Sequence, residues 1–137
     1  MPSRSRACPG FYNGRGQLAA ACEAYFSYVE RRVFPGGCFF AATALEMGTR
    51  PGPVKERVAA ISSGFTAQLR AFAVTAIEQH ELPAREDPDR LAFELHAILL
   101  GTDTKFVLHD DPAVLDMARQ AVRQRLGLDH GGNAGES

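Results

Sequence analysis

Two hard breaks bracket a short apolar run, and they limit what the chain around them can become. Phe34-Pro35-Gly36-Gly37 interrupts any regular element, Cys38-Phe39-Phe40 follows at once, and Arg50-Pro51-Gly52-Pro53 interrupts the chain again. Proline fixes one backbone dihedral and has no amide donor, while glycine permits turns that other residues resist. Between the breaks there is room for one short helix, expected over about Cys38–Met47 and closed by Gly48. Its residues are apolar nearly all round, which predicts burial on most sides. The sequences on either side read as long amphipathic helices. The short run is therefore expected to be a buried insert in a helical bundle.

The first long helix is expected from Gln17 to Val33, with Leu18, Cys22, Tyr25, Val29 and Val33 at helical spacing. The next begins at Pro53, a first-turn proline, and carries Val54, Val58, Ile61, Phe65, Leu69, Phe72 and Ala76 on one stripe. It should end near Glu81, because Leu82 precedes Pro83 and is pushed out of helical geometry. Asp87-Pro88 and Asp111-Pro112 are two copies of one start signal, an aspartate cap followed by proline. They open helices expected to reach about His109 and Leu126, the second stopped by Gly127. No alternating β-branched run stands out. The fold class is all-α, an antiparallel bundle of about five helices. The domain is expected over residues 17–127, with loop or disordered segments at 1–16 and 128–137.

A chain of 137 residues buries roughly two-thirds of its unfolded surface, enough for one core without covalent staples. The formal net charge of −1 argues against bulk electrostatic binding of nucleic acid. Arg4, Arg6 and Arg15 precede the first acid, Glu23, and read as part of a solvated tail. Cys8, Cys22 and Cys38 are an odd number without metal-type spacing, which suits a reducing, cytoplasmic compartment. No apolar run reaches the ~20 residues of a membrane span.

Catalytic chemistry finds little support. His80, His96, His109 and His130 show no zinc spacing and read as surface or capping residues. No phosphate loop or nucleophile elbow is present, and no metal or cofactor is expected. Cys38 starts a helix, which favours a thiolate, but Phe39 and Phe40 favour burial; a small buried residue and a ligand-contacting thiol both remain open. The aromatic residues are the better candidates. Tyr25, Phe26, Phe39, Phe40, Phe65, Phe72 and Phe93, with Leu69, could converge inside the bundle beside the polar Thr43, Glu46 and Gln68. Such an interior is either solid core or a chamber for a small apolar ligand, lined by Tyr25, Cys38, Phe39, Thr43, Glu46, Phe65, Leu69, Phe72 and Phe93.

The last two helices each carry more apolar surface than one inward face requires. Leu91, Leu95, Ile98, Thr102 and Phe106 form one stripe of the 88–109 helix; Phe93, Ala97, Leu100, Thr104 and Val107 form another. Either both pack within the protomer, or one covers a second copy in an intermolecular four-helix bundle. The interface set expected for the second case is Leu95, Leu99, Thr102, Phe106, Val114, Met117, Ala121 and Val122. Leu99→Asp and Val122→Asp are expected to break such a dimer.

The Pro35-Gly36-Gly37-Cys38 turn, Glu46, Arg50-Pro51-Gly52-Pro53-Val54, the stretch Asp87–Ala97 and the closing helix from Asp111 resemble, in order and spacing, the C-terminal regulatory domain of TetR-family transcriptional regulators. The resemblance spans about Gln17–Leu126. It implies an all-α domain that binds a small effector and forms a homodimer through its last two long helices. It also implies an N-terminal helix-turn-helix head, for which the stretch before Gln17 is too short. DNA contact is then expected only through a head outside these residues. The other reading is an interaction protein that pairs with an intact regulator and modulates its DNA binding.

Overall fold

The computed structural model describes residues 13–32, 46 and 50–128. Four helices are described: α1 (Gly14–Glu30), α2 (Pro53–Glu78), α3 (Pro88–His109) and α4 (Pro112–Arg125). Among the described residues there is no strand, and the architecture is all-α. The short apolar helix expected over Cys38–Met47 lies outside the described residues except for Glu46, which is exposed.

α1 begins three residues earlier than its apolar pattern suggests. The Asn13 side chain accepts the Gly16 N–H, capping a turn that contains two glycines. Two more first-turn amides are satisfied from a distance. The Gly14 N–H donates to Gln79 Oε1 and the Arg15 N–H to Glu81 Oε1, each at 3.0 Å. Both acceptors stand just past the end of α2, so the two helix ends are tied together. Gly14 is buried at this crossing, against the backbone of Phe72 and Ala76.

α2 closes with His80 in the left-handed region (φ 63°), the Glu81 N–H reaching the Ala76 carbonyl and the His80 N–H reaching Ile77. This pattern satisfies carbonyls that a helix end otherwise leaves unpaired. α3 and α4 start as the paired Asp-Pro signals require. Asp87 accepts from the Asp89 and Arg90 amides, and Asp111 from the Ala113 amide.

α1 packs against α2, α3 and α4 and forms the axis of the core. It contributes Leu18, Cys22, Phe26 and Val29, facing Leu69, Ala73 and Ala76 of α2, Leu91, Leu95, Leu99 and Phe106 of α3, and Leu115, Ala118 and Val122 of α4. Two arginines of α4 staple the outside. Arg119 donates from Nε and Nη2 to both Glu23 oxygens at 3.0 and 2.9 Å, and reaches Glu30 at 3.1 Å. Arg125 makes the same two-pronged contact with Glu86 at 3.0 and 2.9 Å and donates to Glu94 at 2.7 Å.

Hydrogen bonds from Arg125 hold the Glu86 carboxyl below its ordinary value of 4.5. A depressed carboxylate stabilises the fold above the unfolded pKa, and that contribution is lost as pH falls through the folded one. Glu86→Gln should therefore lower stability at neutral pH. The gap to wild type should narrow as the pH drops below about 4.5, read as urea midpoints across a pH series.

Candidate functional site

Two regions of the bundle are candidates: the aromatic interior beside α1 and α2, and the outward face shared by α3 and α4. In the interior, Tyr25, Phe65 and Phe72 are half-buried and pack against the core, while Leu69 is fully inside it. Gln68 is exposed. Cys38, Phe39 and Thr43 lie outside the described residues. Two expected chamber residues are placed differently. Glu46 is exposed, and Phe93 points outward with 69% of its surface accessible. Phe93 sits half a turn away from Leu91 and Leu95, which occupy the inward stripe of α3.

The interior contains two polar groups on which the sequence patterns place no functional weight. His96 meets the Phe65 ring edge-on at 5.4 Å between centroids, with Nδ1 3.4 Å from Thr66 Oγ1. Burial lowers its pKa, so the ring is neutral at physiological pH. Asp103 is buried and engaged in an interaction. A signal for both existed: 92, 96, 99, 103 and 106 are spaced by four and three, the inward period of a helix.

Cys22 borders a cleft of about 380 Å³ between α1 and α4, floored by Phe26 and Val122 and edged by Arg119. Burial pushes its thiol up to about 12, so it is protonated and unreactive at neutral pH. Among the described residues, no group of three or more His, Cys, Asp or Glu is placed to hold a metal ion. No described helix is long and apolar enough to cross a membrane.

The outward face is where the expected interface changes most. Leu95 and Leu99 have no accessible surface, and Thr102, Phe106 and Val122 are buried within the protomer. Thr102 spends its hydroxyl on the Ile98 carbonyl at 2.6 Å. Phe106 lies under the Arg32 guanidinium, 4.6 Å from the ring centroid, and Arg32 pairs with Asp110 at 2.7 Å. These five residues are core. Of the expected set, Met117 is exposed and Ala121 and Val114 are half-buried at the edge of the outward face. The face itself is made by Phe93, Ala97, Gly101, Thr104 and Leu108 of α3 with Met117 and Ala121 of α4. The physical reason lies in bulk. The inward stripe carries three leucines and a phenylalanine, which release more apolar surface from water than the outward stripe does.

A family model described as Tetracyclin repressor-like, C-terminal domain, matches residues 14–122. The chain belongs to the TetR family. The match covers α1 to α3 and most of α4, and so includes both the interior and the outward face. The TetR-like domain is a module of transcription regulation, from a family of regulators rather than enzymes. No curated protein and no solved structure matches the chain.

Proposed function

We propose that this TetR-like domain senses a small apolar or aromatic effector and forms a homodimer through the outward face of α3 and α4. The observation that carries the reading is the exposure of Phe93, Leu108 and Met117, at 69%, 70% and 69%, on one side of two adjacent helices. Large apolar side chains gathered on one face of a small domain indicate a partner surface. The effector part is supported by the half-buried aromatics Tyr25, Phe65 and Phe72, with neutral His96 and Thr66 as polar groups beside them. In this reading the domain lacks its own DNA-binding head, operator contact comes only through a helix-turn-helix head outside these residues, and the protein works in the cytoplasm, where a buried free Cys22 stays reduced.

Size-exclusion chromatography with light scattering tests the dimer. Wild type should run with twice the protomer mass, and Phe93→Asp should run as a folded monomer. A wild-type monomer at high micromolar concentration would refute the proposal. For the effector, Phe72→Ala should change ligand-induced thermal shifts with an aromatic compound set more than Phe106→Ala does. Equal effects would mark the interior as solid core.

The alternative is an interaction module that pairs with an intact regulator through the same face. Mixing with a full-length relative separates the two readings. Mixed dimers together with loss of operator binding favour the alternative.

A further inference from the structure

Of the acidic and basic side chains among the described residues, Asp103 alone is buried, with 4% of its surface accessible. An aspartate is seldom enclosed in this way, because taking a carboxylate out of water costs free energy that packing does not return. Asp103 is engaged in an interaction within the fold. For stability alone, however, a buried ionic group gains little over an apolar residue of similar volume. Its enclosure points to a role beyond packing.

Its position supplies one. The Arg70–Asp89 ion pair at 2.7 Å and the Thr66–His96 contact at 3.4 Å set α2 and α3 side by side and antiparallel. Continued along the helices, that register places Asp103 opposite the 58–62 stretch of α2, where Val58 and Ser62 are half-buried. His96, edge-on to Phe65, lies on the same side of α3 two turns earlier, roughly 10 Å along the axis. Tyr25 and Tyr28 of α1 and Phe65 and Phe72 of α2 are half-buried and pack on the core that α3 shares with them. The α3 wall of this aromatic interior thus carries an acid. Burial keeps the His96 ring neutral, so the imidazole brings no positive charge to it.

An acid in such surroundings favours a positive ligand and opposes a negative one, because charges act strongly where water is excluded. Aromatic ring faces attract cations for the same reason. A hard metal ion needs a cage of several oxygen ligands. Among the described residues no group of three or more His, Cys, Asp or Glu is placed to hold one. The fit is to an organic cation.

We infer that the effector is a lipophilic cation, an aromatic or apolar body bearing one protonated amine or quaternary nitrogen, and that Asp103 reads its charge. The inference rests on the effector reading above and adds the chemical class. The cation joins or replaces the contact that Asp103 makes in the fold, while its apolar body lies among the rings.

The test uses three probes that share one ring system: naphthylmethylammonium, naphthylmethanol and naphthoate, with positive, neutral and negative heads. Titration calorimetry on the wild-type protein at neutral pH should show the ammonium binding roughly tenfold more tightly than the alcohol, and the carboxylate not at all. Asp103→Asn keeps the shape and removes the charge, so it should bring the ammonium to parity with the alcohol and leave the alcohol unchanged. Asp116→Asn, at an exposed position, should alter neither and so excludes a general effect of surface charge. The wild-type ranking decides without any variant: alcohol or carboxylate bound as tightly as the ammonium overturns the class while the chamber stands. An Asp103→Asn protein that keeps the full preference overturns the role of Asp103. If none of the probes binds at millimolar concentration, the effector reading itself fails and this inference with it.

Discussion

Gly14→Ala should cost about 3 kcal/mol, near the upper end of over-packing penalties, or roughly 10 °C in melting temperature for a domain of this size. Gly14 lies where α1 crosses α2, and an added methyl would fall on the Phe72 carbonyl and the Ala76 amide, with the Ala76 Cα at 2.8 Å. These are backbone atoms, which cannot rotate aside as a side chain does. The helices must separate, and the separation pulls on the Gly14 N–H to Gln79 and Arg15 N–H to Glu81 hydrogen bonds that fasten the start of α1. Buried amides left without acceptors cost more than the hydrogen bonds contributed in net terms. Gly64→Ala is the matched control. Gly64 lies within α2, is exposed, and has nothing within 4 Å of its Cβ position. That change should stabilise the protein by up to about 1 kcal/mol through helix propensity alone. Thermal melts monitored by circular dichroism decide the matter: the two glycines must respond with opposite signs. A Gly14→Ala melt at or above wild type would mean that the α1–α2 crossing is looser than described.

Leu99→Asp should abolish the fold rather than the dimer. Leu99 has no accessible surface and sits among the leucines and phenylalanine that α3 turns toward α1. Leu99→Ala at such a site costs about 2–5 kcal/mol from lost transfer and the remaining cavity. A carboxylate there adds the cost of a buried charge with no partner, and the sum approaches the whole 5–15 kcal/mol by which domains are stable. The expected result is loss of helical signal and of a cooperative melt. Phe93→Asp, six residues earlier and outward, should keep both and change only the mass in solution. A Leu99→Asp protein that remains helical and monomeric would put this stretch of α3 back on the interface. This reverses the expectation drawn from pattern alone, in which Leu99 was an interface residue.

The helix ends were largely readable from local chemistry. Asp87-Pro88 and Asp111-Pro112 cap where expected, because a side-chain acceptor beside free amides acts over a few residues. The expected first helix, Gln17 to Val33, starts and ends three residues later than Gly14–Glu30, since Asn13 and two glycines give no apolar pattern although Asn13 is a good cap. The candidate site was less legible. Phe93 and Leu95 are two residues apart on one helix and look equally suited to an interior, yet one is exposed and the other buried. Buried Asp103 falls on the inward period, but nothing local marks a carboxylate there as core rather than a break in the stripe.

The sequence by itself determined that this chain is helical, where most of its helices begin and end, and that α3 has two apolar sides. Those properties follow from caps, prolines and a 3.6-residue period, all local to the backbone. Only the tertiary structure decided which side of α3 turns inward, that Gly14 is a backbone crossing, and that Gly101 faces outward. Those outcomes depend on competition between surfaces far apart in sequence. The heavier stripe wins the interior because it removes more apolar area from water, and the lighter one is left for a partner.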